Sequence, residues 1–213
     1  PNASAIILTG SPVAGRFTFA EGIDHIRLPG VTKLYDGTYE SQSLGLNIDE
    51  TTALRSALIK TAVKQYDPDI LIVDKEPTGF RGELIPTLKW IAKKGKTRLV
   101  LGLRDVLDEA EVLSAEWDRK GALKAAERFY DEIWVYGPKS VYDPTKGLAF
   151  SDDLRARTHW TGYLRRDITD EQETPDTPYI LVTPGGGGDG ACLVDLVLKA
   201  YEQDLDLSPD ALL

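Results

Sequence analysis

The sequence predicts an α/β protein with a Rossmann-like, mostly parallel sheet and helices on both faces. Two observations support this prediction. Apolar runs of strand length alternate with longer segments whose apolar residues recur at helical spacing. The runs at 69–74 and 98–103 are apolar at successive positions rather than at every second one, which is typical of strands covered on both faces.

The individual elements can be assigned in order along the chain. Strands are predicted at 4–9, 23–28, 69–74, 98–103, 132–136 and 158–163. Helices are predicted at 49–66 with Asp49 as N-cap, at 83–94, and at 109–129 with an interruption near Gly121. Because strands and helices alternate through the central part, we expect crossover helices between parallel strands.

The chain divides into three regions. Residues 1–165 are predicted to form one Rossmann-like domain. Residues 166–178 are polar and contain Pro175 and Pro178, which indicates a linker. Residues 179–213 begin a second α/β domain, which we expect to stop after one strand and one helix.

Composition excludes several classes of protein. A net charge of -9 and only short basic groups argue against a nucleic-acid-binding surface. The single cysteine, Cys192, excludes an intrachain disulfide, suggests a reducing compartment and is predicted to be a buried structural thiol. Neither a membrane span nor a signal peptide is evident, so a cytoplasmic protein is expected. The absence of methionine leads us to expect a fragment, or omitted modified methionines, with residues preceding Pro1.

A glycine-rich loop follows the apolar run at 179–183 and opens an amphipathic helix. Its members are Gly185, Gly186, Gly187, Gly188, Asp189 and Gly190. Glycine lets the backbone approach a ligand closely, and the N–H groups of the following helix favour an anion, so the loop predicts a phosphate or diphosphate site.

The same loop fits the dinucleotide pattern G-x-G-x-x-G through Gly185, Gly187 and Gly190. Two observations argue against a dinucleotide. The loop opens a second domain, and no second strand with a ribose-binding acid is predicted after it. Asp204 and Asp206 lie at a suitable distance, but at a helix end and in a polar turn. A merely tight strand-to-helix turn is the remaining alternative.

Charged residues and glycines also follow two of the predicted strands. After 69–74 come Lys75, Glu76, Gly79, Arg81, Gly82 and Glu83, and after 98–103 come Arg104 and Asp105. Ligands of open α/β sheets bind at the carboxyl ends of strands, which makes these residues candidates for a binding cleft. The alternatives are a solvated turn with local salt bridges and an Arg104–Asp105 pair. His25 and His159 have no companions at metal-ligand spacing, so no metal site is predicted.

Four segments carry a resemblance to a known family. Residues 73–84, 101–108, 130–137 and 161–165 resemble a family of predicted bacterial GT-B glycosyltransferases. That family is related to the N-acetylglucosaminyltransferase that completes the peptidoglycan lipid precursor. The resemblance implies a metal-independent, inverting transfer of sugar from a nucleotide diphosphate sugar, with a UDP-sugar as the first expectation, to a hydroxyl acceptor, without a cofactor.

The resemblance also implies roles for residues. Positions 185–190 would hold the donor diphosphate, and the residues at 75–83 with Arg104 and Asp105 would line the acceptor side. The family begins with a strand, a Gly-His loop that often supplies the base, and a helix, and these would precede this sequence. The ribose-binding acid would follow Leu213. Glu83 and Asp105 are the candidate bases within the chain, which alone would be inactive.

The resemblance further implies the partners and leaves rivals open. The partners would be a nucleotide sugar and a carbohydrate, lipid-linked or small-molecule acceptor, with peripheral contact to the inner membrane face if the acceptor is a lipid. No nucleic acid is expected. A nucleotide-sugar epimerase of the same fold, a non-catalytic GT-B-like binding module and an NAD-linked oxidoreductase are the alternatives.

Overall fold

Four parallel strands form the largest sheet of a Rossmann-like α/β fold. The computed structural model describes residues 3–34, 38–104, 110–164, 176–183, 190–204 and 206–212. Contacts divide the chain into a first unit, Pro1–Arg165, and a second unit, Arg166–Leu213. The predicted linker at 166–178 falls largely outside the described residues.

Six of the strands described in the first unit lie close to their predicted positions, and two, at 31–33 and 39–41, were not predicted. They are β1 (Ala5–Thr9), β2 (Ile23–Arg27), β3 (Val31–Lys33), β4 (Tyr39–Ser41), β5 (Ile70–Asp74), β6 (Arg98–Arg104), β7 (Glu132–Tyr136) and β8 (Thr158–Trp160). The main sheet has the order β5-β6-β7-β8, while β1 pairs with β2 in parallel and β3 with β4 in antiparallel fashion.

Helices lie between β4 and β5 and between successive strands of the main sheet. They are α1 (Ile48–Tyr66), α2 (Ile85–Lys94), α3 (Ala110–Lys120), α4 (Ala122–Phe129) and the short α5 (Asp152–Ala156). The predicted interruption near Gly121 is confirmed, because Gly121 takes a φ of 63° between α3 and α4. Among the described residues, no helix is both long enough and apolar enough to cross a membrane.

Strand β6 forms the centre of the core. Residues 99–103 of this strand are all buried, so both faces of the sheet are covered at this point. Leu88 and Ile91 of α2 and Leu113 and Trp117 of α3 belong to the same apolar cluster. The buried parallel sheet predicted from the run at 98–103 is therefore confirmed for β6.

Helix α1 begins two residues earlier than its predicted cap suggests. Asp49 is not the N-cap; the side chain of Asn47 accepts hydrogen bonds from the N–H groups of Asp49 and Glu50. The carboxylate of Glu50 accepts the N–H of Asn47 in return, which completes a capping box. Asn47 starts the helix because its oxygen reaches two free N–H groups at once.

Strand β5 departs from its predicted burial. The run at 69–74 predicts a strand covered on both faces, yet the side chains of Ile70 and Ile72 are 50% and 48% exposed. The reason is positional: of the described strands, only β6 pairs with β5, which therefore lies at the edge of its sheet. The continuous apolar sequence thus indicated a parallel strand, but not whether that strand lies at the edge or in the middle of the sheet.

The second unit contains a strand, a helix and a second strand: β9 (Tyr179–Leu181), α6 (Ala191–Gln203) and β10 (Asp210–Leu212). The expectation that it stops after one helix is wrong, because β10 pairs in parallel with β9. The acid on β10, Asp210, lies at the start of that strand rather than at its end.

The predicted burial of Cys192 is also wrong. Its side chain is exposed, and α6 has no buried residue in the described part of the unit. The apolar stripe of α6 had suggested a core face, but the two short strands described beside it do not cover that helix.

Candidate functional site

Pairing of β5 with β6 brings two groups of predicted residues to one end of the sheet. Asp74, the last residue of β5, lies opposite Gly102 of β6. The guanidinium of Arg104, two residues further on, donates a hydrogen bond from Nη2 to Oδ2 of Asp74 over 3.0 Å. Both side chains are more than half exposed, so this pair is open to solvent and to a ligand.

The chain turns sharply after β5. Lys75 has a φ of 62°, and its N–H donates to the carbonyl of Gly102 over 2.7 Å, which extends the ladder by one bond. Further on, Gly79 has a φ of 69°, and a Cβ built there would lie 2.7 Å from Cγ of Leu84. A side chain at position 79 is therefore excluded both by conformation and by packing.

A buried ion pair fixes the far side of this loop. Both carboxylate oxygens of Glu83 accept hydrogen bonds from Arg55 of α1, at 2.5 Å from Nε and 2.8 Å from Nη2. Nη1 of Arg55 donates to the carbonyl of Pro29 over 2.6 Å. The two side chains are 8% and 6% exposed. Such a two-point pair is rigid, and both oxygens of Glu83 are already occupied.

A second contact between the loop and α1 lies at the surface. Nη2 of Arg81 donates to Oδ1 of Asp49 over 2.7 Å, with the two side chains 48% and 80% exposed. Arg81 has a φ of 49°, a conformation that ordinary residues rarely adopt. The predicted residues Arg81 and Glu83 are thus directed towards α1.

Lys120 at the end of α3 reaches the loop from the other side. Its Nζ donates to both oxygens of Glu76 at 3.0 Å and to Oε1 of Glu116 at 2.6 Å. The hydrogen bond from Lys120 lowers the pKa of Glu116. Burial acts to lower the pKa of Lys120, but the bonds to Glu116 and Glu76 outweigh it and raise that pKa.

An aromatic side chain closes the sheet end beside Asp74. The hydroxyl of Tyr136, the last residue of β7, lies against Gly102, where a Cβ would be only 2.0 Å from it. Gly102 is therefore required for close approach of the ring. Burial, followed by the charge of Asp74, raises the pKa of Tyr136, so its hydroxyl stays protonated and can donate a hydrogen bond.

The predicted residues therefore fall into three sets. Lys75, Glu76 and Arg104 share the carboxyl end of β5 and β6 with Asp74. Arg81 and Glu83 are bonded to α1, and Gly79 and Gly82 shape the turn between the sets. Asp105 and residues 185–189 of the glycine loop lie outside the described residues, and Gly190 directly precedes α6.

Four residues of this region were missed from the sequence: Arg55, Asp74, Lys120 and Tyr136. Arg55 did carry a signal. The buried positions of α1 are Thr51, Arg55, Ile59 and Val63, which recur every four residues. A charged residue within such a stripe indicates a buried partner. Lys120 and Tyr136 carry no local signal, since their contacts depend on which strands are neighbours.

The site combines cations, carboxylates and a hydroxyl donor in one place. It could hold a ligand rich in hydroxyl groups or one that bears a negative charge. Within the described part of the chain, no three His, Cys, Asp or Glu side chains come together as metal ligands. Comparison of the chain with protein-family models, curated proteins and solved structures gives no match.

Proposed function

We propose that the protein is a GT-B-type glycosyltransferase that transfers a sugar from a nucleotide diphosphate sugar to a hydroxyl acceptor. The observation that carries the proposal is the charged set at the carboxyl ends of β5 and β6. Ligands of α/β sheets bind at this end, and Asp74, Glu76, Arg104 and Lys120 are all presented there. The family resemblance of the segments around these residues supplies the reaction class.

The second unit supports the donor side of the proposal. Its order of strand, glycine-rich sequence, helix and parallel strand is that of a phosphate-binding βαβ unit. Among the residues that the structure describes, no side chain caps the start of α6, and the first N–H groups of a helix have no partner within it. The backbone N–H groups of 185–190 would bind the donor diphosphate.

The proposed reaction is a direct displacement. The acceptor oxygen forms a bond to the anomeric carbon while the bond from that carbon to the diphosphate oxygen breaks. The nucleoside diphosphate leaves with the bonding electron pair, stabilised by backbone N–H donors. The acceptor proton passes to a base, which the family resemblance places in the Gly-His loop that would precede this sequence; of the two candidates within the chain, Asp105 ranks ahead of Glu83, because Arg55 holds both oxygens of Glu83.

Acceptor recognition would fall to the charged groups at the sheet end. Arg104 and Lys120 can donate to acceptor oxygens, and Asp74 and Glu76 can accept from its hydroxyl groups. A UDP-sugar is the first donor to try. The proposed setting is the cytoplasm, with contact to the inner membrane face if the acceptor is lipid-linked.

Calorimetric titration of the natural full-length protein with UDP, UDP-N-acetylglucosamine, GDP, dTDP and NAD tests the proposed donor site. We expect one nucleoside diphosphate and its sugar to bind, and the variant Gly187→Val/Gly188→Val to lose that binding. Gly45→Val is the matched control, since a Cβ at Gly45 meets nothing within 4 Å. Binding of NAD alone would replace the proposal with an oxidoreductase.

A matched pair of variants on a single strand tests the proposed acceptor site. Arg104 and Arg98 stand at opposite ends of β6, are equally exposed at 61%, and each pairs with one carboxylate. When the acceptor concentration is varied, Arg104→Ala should lower kcat/KM for the acceptor at least tenfold, while Arg98→Ala should leave it unchanged. Equal effects of the two changes would contradict an acceptor site at this end.

Product analysis separates the nearest rivals. An epimerase would convert the nucleotide sugar into its isomer without any acceptor, whereas a transferase releases the nucleoside diphosphate only when an acceptor is present. Binding without turnover in the full-length protein would favour the non-catalytic module.

A further inference from the structure

A large groove separates β1 from β5 in the first unit. Its volume is about 1000 Å³. Residues 3–8 of the β1 segment and residues 66–74 of the β5 segment line it at successive positions. A cavity against a sheet face would touch every second residue, so successive lining residues show that the groove runs along the edges of both strands.

The two strands run in the same direction on either side of the groove. At one end, Oγ of Ser4, just before β1, lies 2.8 Å from the hydroxyl of Tyr66, which precedes β5. At the other end, a Cβ on Gly10, just after β1, would lie 2.9 Å from Nη1 of Arg55, whose partner Glu83 follows β5. Strands β1 and β5 therefore begin at the same end of the groove and finish at the same end.

Both edges present backbone groups to the groove. The N–H of Ala5 donates to Gly22 and the carbonyl of Thr9 accepts from Leu28, so odd-numbered residues of β1 point towards β2. Successive residues of a strand point to opposite edges, which leaves Ile6 and Leu8 pointing into the groove.

The same reasoning applies to β5. The carbonyl of Asp69 accepts from Arg98 and the N–H of Lys75 donates to Gly102, so odd-numbered residues point towards β6. Ile70 and Ile72 therefore direct their N–H and C=O groups into the groove. Among the described strands, β1 pairs only with β2, and β5 only with β6.

The groove has the size of one strand. Strands lie about 4.8 Å apart, rise about 3.3 Å per residue and occupy a layer about 10 Å thick, which gives about 160 Å³ per residue. The volume of about 1000 Å³ therefore corresponds to about six residues. The flanking strands β1 and β5 have five residues each.

We propose that this groove takes a parallel β-strand of about six residues from a part of the protein's own polypeptide outside residues 1–213. The strand joins β1 to β5 and makes one continuous sheet of order β2-β1-added strand-β5-β6-β7-β8. Apolar side chains suit it, because Ile7, Ile70 and Ile72 beside it are half exposed.

The source of the strand follows from the two facing edges. A peptide ligand that adds a strand to a protein generally extends a single exposed edge of a sheet. Here the occupant pairs on both sides, in the middle of a parallel sheet, which favours a strand that folds with the sheet through a crossover connection. This inference is independent of the proposed sugar transfer.

The added strand also affects the candidate site. Gly10, Asp74, Glu76 and Gly79 line the end of the groove where β1 and β5 finish. A parallel strand would finish at the same place, so the segment that follows it reaches the charged groups of the candidate site. The site described above is then only part of the complete one.

Hydrogen exchange at single amides tests the proposal on the polypeptide 1–213 and on the natural full-length polypeptide. In 1–213, the amides of Ile6 and Ile72 should exchange at least a hundredfold faster than those of Ile7 and Leu71, after correction for sequence. In the full-length polypeptide the two sets should exchange at similar rates. Ile7 and Leu71 serve as matched controls because they point to β2 and β6.

Proline substitution gives a second readout. Ile72→Pro removes an N–H that points into the groove, and Leu71→Pro removes one that bonds β6. Ile72→Pro should lower Tm by about 5 °C or more in the full-length polypeptide and by less than about 2 °C in 1–213. Leu71→Pro should lower Tm in both.

Three results would overturn the proposal. The first is continued fast exchange of Ile6 and Ile72 in the full-length polypeptide. The second is slow exchange of these amides in 1–213 together with a dimer in sedimentation, because a second copy would then fill the groove. The third is a natural polypeptide that mass spectrometry shows to consist of residues 1–213 alone.

Discussion

Two ion pairs at the same end of the sheet have opposite surroundings, and the buried one makes two hydrogen bonds where the exposed one makes one. Arg55 and Glu83 are 8% and 6% exposed, whereas Arg104 and Asp74 are 61% and 56% exposed. Their closest nitrogen–oxygen distances are 2.5 Å and 3.0 Å. Burial, rather than distance, separates a pair that holds the scaffold from a pair that a ligand can reach.

The two pairs differ in the environment of the charge that remains when one partner is removed. Neither partner of the buried pair can be removed without leaving a charge away from water, so Arg55 and Glu83 fix the loop to α1 and to Pro29. Arg104 and Asp74 are solvated when apart, which means that either can exchange its partner for a ligand at little cost.

The largest effect is expected from breaking the buried pair. Arg55→Met leaves Glu83 buried without a partner and should lower the free energy of unfolding by about 3–5 kcal/mol. Urea unfolding followed by tryptophan fluorescence is the measurement, and it reports on the first unit because Trp90, Trp117, Trp134 and Trp160 all lie there.

The double variant Arg55→Met/Glu83→Leu is the control for that experiment. It removes both charges, so it should recover most of the lost stability. A loss of less than about 1 kcal/mol in the single variant would show that the pair is solvated in solution and would remove the contrast between the two pairs.

A smaller effect on the free energy of unfolding is expected from a substitution that crowds the Tyr136 ring beside the exposed pair and leaves the charges of that pair unchanged. Gly102→Ala places a Cβ 2.0 Å from the hydroxyl of Tyr136, so the ring has to move. The free energy of unfolding should fall by about 1–3 kcal/mol, as overpacking usually costs. Gly45→Ala, in open space, should leave stability nearly unchanged; equal effects would mean that the ring moves freely.

Lys120 is an intermediate case, with a side chain 36% exposed. Lys120→Met should raise the pKa of Glu116, which Lys120 holds below its usual 4.5, and this can be followed by NMR titration. Because the folded pKa is the lower one, this stabilisation is present above about pH 4.5 and is lost as the pH falls through the folded pKa. An unchanged Glu116 pKa would show that the contact is absent in solution.

The smallest stability effect is expected at the exposed pair. Arg104→Ala should change the free energy of unfolding by about 0–1 kcal/mol, and Arg98→Ala should behave alike. Thermal unfolding of both variants measures this. A loss above about 2 kcal/mol for Arg104→Ala alone would make Arg104 a structural residue and weaken its proposed role towards the acceptor.

Much of the fold was predictable because it depends on local pattern. The longer strands and the break at Gly121 follow from apolar runs and from the conformational freedom of glycine. The cap of α1 was misplaced because Asn47 and Asp49 are both good caps, and only the bonds to Asn47 decide between them. Strands β3, β4 and β10 were missed because three residues give too short a pattern.

The candidate site was predictable only in part. Glycines and charges after an apolar run indicate a sheet-end loop, which is how Lys75, Glu76 and Arg104 were found. Which of these groups meet depends on the pairing of β5 with β6 and on the reach of α3, and neither is written in a local stretch of sequence. The exposure of Ile70 likewise reflects neighbours rather than residue type.

The loop after β5 makes hydrogen bonds both to a residue that precedes it in the sequence and to a residue that follows it. Glu83 bonds to Arg55, 28 residues earlier, and Glu76 to Lys120, 44 residues later. The buried hydroxyl of Tyr130 also donates to the carbonyl of Pro77 over 2.6 Å. Opening the whole loop breaks all these contacts, so it costs more free energy than opening an ordinary surface loop.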